Sequence, residues 1–208
     1  MINFFALVFG WQIYWFNSFI VKSLLVLKGI KVGKNFYIQG IPFLKIRGPV
    51  SNIRIGDNVS IYGNIDLRNR ENGSIIIEDN VSFDKECRLV AANNAVLRFK
   101  SGADIGGYNI FNCGTNVTIG HDTMIAGYCY IQSSNHGIVP NIPIKKQNHT
   151  YGEITIGDDC WIASHVTVVA GVTIGNGAIV GANAVVTKNL LENSKNVGIP
   201  AKQIGERI

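Results

Sequence analysis

From Ile55 onward an aliphatic residue or Phe returns at every sixth position. Ile55, Ile61 and Leu67 make one run, Ile77, Phe83 and Leu89 the next, then Ile105 and Phe111. A two-residue slip precedes Ile119, Ile125 and Ile131. After a longer break, Ile156, Ile162, Val168, Ile174, Val180 and Val186 follow without a slip. The fourth residue after each is usually small or β-branched: Val59, Val81, Thr115, Thr123, Val166, Val172, Ala178, Ala184. This is the hexapeptide pattern of a parallel β-helix. Each hexad makes one short strand and one turn, and its aliphatic residue fills the prism interior. Gly and Asn at the turns allow positive φ. Stacked coils pair their backbones with the coils above and below, so the core is a continuous column. The pattern predicts a mainly β chain with two parts, a hydrophobic helical segment over 1–29 and a single solenoid over 30–208. Residues 30–54 read as a ragged start, 68–76 and 90–104 as loops that lengthen individual coils, and "NVGIPAKQIGERI" as a short tail or helix.

The beat stops in "QSSNHGIVPNIPIKKQNHTYGEITIG", an excursion over 132–153. It carries His136 and His149, two of the four histidines, and the pair Lys145-Lys146. His121 and His165 fall instead at ordinary turn or wall positions. Cys87, Cys129 and Cys160 each take the fourth place of a hexad and read as small core fillers, reduced in a cytosolic protein. Asn58-Val-Ser60 and Asn80-Val-Ser82 look like glycosylation sequons, but Asn followed by Val and Ser is what such turns need.

The net charge of +5 is unevenly placed. Residues 1–56 hold seven Lys or Arg and no acid, while the remainder has twelve basic and fourteen acidic residues. That points to an anionic partner near the N-terminal quarter, a membrane surface or a phosphorylated substrate before nucleic acid, for which no motif is present. Residues 1–21 carry no charge, are rich in Phe, Trp and Tyr, and are interrupted by Gln12, Asn17 and Ser18; Lys22, Lys28, Lys31 and Lys34 follow. There is no basic region or cleavage site of a secretory signal. Three readings stay open for this stretch: an interfacial helix on anionic lipid, a helix packed on its own domain or a sister subunit, and a true span.

The ordered set "DDCWIASHV", "VVTK" and "GIPAK", with the repeat and the His-bearing loop, resembles the hexapeptide-repeat acyltransferases, and within them the O-acetyltransferases of bacterial capsule and other surface polysaccharides. The resemblance implies a left-handed β-helix, a homotrimer and acetyl-CoA bound in clefts between subunits, with no metal. It places His136 as the catalytic base at the start of the loop. A neutral imidazole can take the proton of a sugar hydroxyl as attack on the thioester begins. It also implies Trp161 beside that histidine and Ser164 near the thioester carbonyl, where its hydroxyl could meet the developing oxyanion. Ala163 and Ala182 match small positions along the pantetheine, and Thr187, Lys188 and Lys202 match positions near the nucleotide phosphates. Asn135 stands where some relatives carry an acid, and Lys145-Lys146 where Arg is common. The expected activity is acetylation of a surface-polysaccharide sugar in the cytoplasm. N-acetylation of a nucleotide-linked amino sugar is the alternative within the fold. A zinc enzyme would need three converging histidines. A non-catalytic solenoid would leave the His-bearing loop without a reason.

Overall fold

The computed structural model describes residues 6–8 and 10–208, so the expectations for residues 1–5 and 9 lie outside it. Helix α1 (Gln12–Leu27) leads into a solenoid of seven coils. Coil 1 is β1 (Lys31–Val32), β2 (Tyr37–Ile38) and β3 (Pro42–Ile46). Coil 2 is β4 (Ile53–Ile55), β5 (Ser60–Tyr62) and β6 (Ile65–Asn69). Coil 3 is β7 (Ser74–Ile77), β8 (Ser82–Asp84) and β9 (Cys87–Ala91). Coil 4 is β10 (Val96–Phe99), β11 (Asp104–Ile105) and β12 (Ile110–Cys113), and coil 5 is β13 (Val117–Ile119), β14 (Met124–Ile125) and β15 (Tyr130–Gln132). A hairpin of β16 (Ser134–His136) and β17 (His149–Tyr151) then leaves the prism. Coil 6 is β18 (Ile154–Ile156), β19 (Trp161–Ile162) and β20 (Thr167–Val168), and coil 7 is β21 (Thr173–Ile174), β22 (Ile179–Val180) and β23 (Val185–Val186). First, second and third strands stack as three parallel sheets, walls A, B and C.

Every residue of the six-residue beat from Ile55 to Val186 is buried, because successive turns return each of them to the prism interior. Register follows: Ile77 pairs with Ile55 and Phe99, Phe99 with Ile119, Ile119 with Ile156, and Ile156 with Ile174. At the A–B corner Asn35, Asn58 and Asn80 have φ of 51°, 55° and 60°. Their amides form a ladder, Asn35 donating to Asn58 at 2.9 Å and Asn58 to Asn80 at 3.0 Å. Asn tolerates this left-handed conformation and closes the polar groups of the turn on its neighbours.

Three expectations change. Stretches 68–76 and 90–104 are about half strand rather than loop throughout: β6, β7, β9 and β10 enter them, and the extra residues lengthen walls A and C. The alternation of buried Ile65, Leu67 and Asn69, then Ile75 and Ile77, with half-buried neighbours is the period of two expected of strand. Thr115 is not a core residue. The longer C–A corner of coil 4 sends it outward, where its N–H meets Ser133 Oγ, and Cys113 is buried in its stead. The chain closes in a β-hairpin rather than a helix, with β24 (Ser194–Val197) parallel to β22 and antiparallel to β25 (Lys202–Glu206).

Helix α1 packs on coil 1. Asn17 and Ser18, which look like interruptions of an apolar stretch, are the buried contact. Asn17 Nδ2 donates to the carbonyls of Ile38 (3.0 Å) and Gly40 (2.8 Å), and the Ile38 N–H donates to Ser18 Oγ (2.8 Å). A solenoid end presents backbone groups with no next coil, and these side chains satisfy them. Val21 and Leu25 bury alongside, while Phe16, Phe19, Leu24 and Leu27 face outward. No helix among the described residues is long and apolar enough to cross a membrane.

Candidate active site

The excursion begins where wall C ends in coil 5. Ser134 pairs with Tyr151, Asn135 with Thr150 and His136 with His149, antiparallel. The strands can approach coil 4 because Gly114 has no side chain: a Cβ there would lie 2.7 Å from the Tyr151 ring. Gln147 braces the tip, its Oε1 accepting from the Val139 N–H (2.8 Å) and its Nε2 donating to the carbonyls of Val139 (3.0 Å) and Ile142 (2.8 Å). His136 is therefore held on paired strands, outside the core and exposed. Its ring lies 4.3 Å, centroid to centroid, from that of His149, and Tyr151 follows at 6.3 Å from His149. Among the described residues no carboxylate bonds the His136 ring, so its nearest aromatic partner is a second imidazole.

The other expected site residues stand elsewhere on the protomer. Trp161 projects from wall B, half exposed, in register with Met124 and Ile179. Ala163 and Ser164 form the B–C corner of coil 6, and Ala182 holds the same corner of coil 7. The Asn183 N–H donates to the Ser164 carbonyl at 3.0 Å, leaving the Ser164 hydroxyl without a hydrogen bond among the described residues. Lys202 opens β25, next to the turn that bonds back to Val185, and is exposed. Thr187 and Lys188, also exposed, follow β23 at the C–A corner, the corner from which the hairpin leaves. One protomer thus brings His136 to the corner of Thr187-Lys188, and sets Trp161, Ala163, Ser164, Ala182 and Lys202 on wall B and the B–C corner.

His121 and His165 take turn positions as expected. His121 Nδ1 lies 3.3 Å from the Ser101 carbonyl, and His165, at φ 61°, ends a stack with Tyr108 and Tyr128. Among the described residues no group of three or more His, Cys, Asp or Glu could hold a metal ion. All four cysteines are buried free thiols. Burial pushes the Cys87 thiol up to about 12 and also raises Cys113, Cys129 and Cys160, so none is a ready nucleophile. The placement of His149 against His136 is what the residue pattern did not show. It depends on the register of a hairpin whose turn spans twelve residues, 137–148, with no periodicity to read.

A family model described as bacterial transferase hexapeptide (six repeats) matches residues 153–188. An Escherichia coli (strain K12) protein named for O-acetyl transfer in lipopolysaccharide biosynthesis, WbbJ, is 36% identical over 143 residues, 65% of this chain and 73% of that protein. A Mycobacterium tuberculosis protein named as an acetyltransferase, Rv3034c, is 32% identical over 119 residues; the match covers 57% of this chain and 40% of that protein. Among solved structures, AntD, an N-acyltransferase from Bacillus cereus in complex with an amino-sugar nucleotide and coenzyme A, shares the fold with a TM-score of 0.59 at 22% identity, over 90% of this chain and 89% of that one. The polysialic acid O-acetyltransferase OatWY shares it with a TM-score of 0.57 at 23% identity, over 86% and 89%.

Proposed function

The chain belongs to the hexapeptide-repeat family of bacterial transferases and is an acetyltransferase of that family, and from this premise we propose that it moves the acetyl group of acetyl-CoA onto a sugar hydroxyl of a surface polysaccharide or its precursor. The observation that carries the reading is the hairpin that breaks the solenoid to hold His136 exposed at the mouth of the C–A corner. His136 takes the proton of the acceptor hydroxyl as the oxygen attacks, and gives it up to the departing sulfur. Acetyl-CoA supplies the activated acyl group. The residues fit it chemically: Ala163 and Ala182 leave the B–C corner free of bulk, the Ser164 hydroxyl is unpartnered among the described residues, and Lys188 and Lys202 are exposed cations suited to phosphate. Because His136 and Ser164 stand at different corners of one prism, the reading needs a neighbouring protomer to bring them together, in keeping with a homotrimer whose sites lie between subunits.

The test is mass spectrometry of candidate glycans incubated with protein and acetyl-CoA, before and after mild alkali. A 42-unit gain, the mass of one acetyl group replacing hydrogen, that alkali removes identifies an ester; a gain that survives identifies N-acetylation, and no gain with any glycan counts against the reading. The outward Phe16, Phe19, Leu24 and Leu27 of α1 further support placement at the inner face of the cytoplasmic membrane. The lysine contribution is smaller than the sequence suggests, since Lys22 Nζ donates to the Gly33 carbonyl at 2.6 Å. Sedimentation with anionic vesicles checks this; protein left in the supernatant at low salt refutes it.

A further inference from the structure

Wall C carries a basic groove beside the hairpin that holds His136. Its outer face gathers Lys45 from β3 and Arg47 just after it, Arg68 and Arg70 from the second coil, and Arg88 from β9, around a cavity of about 250 Å³. Parallel register stacks these cations: Lys45 pairs with Arg68 and Asp66 with Arg88. Among the described residues Asp66 pairs with two of these cations, Arg68 (2.6 Å) and Arg88 (3.1 Å), and Glu71 borders the adjoining cavity beside Arg70. The side chains of Lys45, Arg47 and Arg70 make no ion pair or hydrogen bond among the described residues, and all three are exposed. Lys45 and Arg47 stand two residues apart along coil 1 and Arg70 lies on coil 2, one strand spacing of roughly 5 Å away, and these uncompensated cations form a surface that an anion would neutralise.

The groove also leads somewhere. Along the prism axis the cations give way to Ile110, Asn112 and Tyr130, so the wall offers apolar surface and an amide next to the charge. Arg70 and Asn112 then line a second cavity of about 210 Å³ together with Ser134, His149 and Tyr151 of the excursion. The two cavities thus share a wall, and the second is bordered by the imidazole that packs on His136 at 4.3 Å. From β3 to β15 is four strand spacings, roughly 19 Å, a length suited to several sugar units rather than to a single small ion.

We propose that the outer face of wall C is the acceptor track and that the acceptor is an anionic glycan, its phosphate or carboxylate seated on Lys45, Arg47 and Arg70 while its hydroxyl reaches His136. Naming the occupant a glycan rests on the acetyl-transfer reading; the charge of the occupant rests on the groove alone. The guanidinium fork suits either anion because it can donate two parallel N–H bonds to adjacent oxygens.

The experiment measures binding, so it stands apart from turnover. Affinities for oligogalacturonate, for its carboxyl-reduced neutral form, and for UDP-N-acetylglucosamine are compared in wild type, in Arg47→Gln/Arg70→Gln, and in Lys31→Gln/Arg54→Gln. The last pair removes the same charge from the same two coils but on wall A, where Lys31 and Arg54 stand side by side. Wild type should bind at least one anionic probe, with affinity that falls as salt rises, and should ignore the neutral form. The wall C variant should bind that probe roughly tenfold more weakly, the scale of two lost charge contacts at an exposed site, and the wall A variant should not differ from wild type. Which of the two anionic probes responds assigns carboxylate or diphosphate. Equal loss in both variants, or binding of the neutral form as tight as the acid, overturns the proposal, as does failure of wild type to bind either anion. Acetyl-CoA affinity is measured in parallel. If the wall C variant loses acetyl-CoA instead of the glycan, the groove belongs to the donor and the proposal falls. If wild type binds no acetyl-CoA, the acetyl-transfer reading fails while the anion arms still decide the groove.

Discussion

Coils 2–4 and coils 6–7 are the same architecture built at two gauges. Equivalent core residues lie 22 apart from Ile55 to Ile77 and from Ile77 to Phe99, but 18 apart from Ile156 to Ile174. The wider coils fill their cross-section with Phe83, Phe99 and Phe111, packed edge to face at 5.0 and 4.9 Å; the narrower ones use Ile, Val and Ala. The longer wall C strands β6 and β9 carry Arg68 and Arg88 on their outer face. A coil of three hexads leaves little exterior to vary, while each extra strand residue adds surface without disturbing the inward beat. The regular coils therefore act as scaffold, and the wider coils and the hairpin carry the chain's individual chemistry.

The largest test of that contrast is in the core. Phe99→Ala should cost about 3–5 kcal/mol, because a whole ring leaves a gap between two others, whereas Val180→Ala in coil 7 should cost about 2 kcal/mol. Chemical denaturation reads both, and equal costs would mean that the gauge difference has no energetic content. Next comes the hairpin. His136→Ala should lower acetyl transfer by roughly 100-fold or more, the scale of a lost general base, with melting temperature and acetyl-CoA affinity unchanged because the residue lies outside the core column. Near-normal turnover in the folded variant would remove His136 from the chemistry.

Smaller effects sharpen the ends and the narrow coils. Replacing both Asn17 and Ser18 by Ala strips the buried contacts from β2 and should destabilise by about 1–3 kcal/mol, through backbone groups left unsatisfied under α1. Faster amide exchange at Ile38 is the specific readout, and unchanged exchange would show that α1 does not seal the solenoid. Last, Cys160→Ala should cost on the order of 1 kcal/mol and leave catalysis intact. A thiol reagent should label native Cys87 slowly even at pH 9, since burial holds its thiol up to about 12. Rapid labelling of Cys160 with loss of activity would place it in the site instead.

The sequence by itself determined the coil. A side chain every sixth residue must face inward if the chain is to bury apolar surface at a repeating turn, so the β-helix, its buried column, the Asn corners and the position of the break were all legible. The break also held His136 and His149, and the family resemblance singled out His136 at its start. Contacts that join residues far apart or across register were decided only by the tertiary structure. Asn17 and Ser18 look like flaws in an apolar helix until the open edge of coil 1 is set against them. His149 has no fixed distance from His136 until the hairpin pairs. Arg47 and Arg70 sit 23 positions apart in the chain and become neighbours only when coils 1 and 2 stack. A periodic pattern reports which way each side chain points; what it meets there depends on the coil above, the coil below and the closing of the ends.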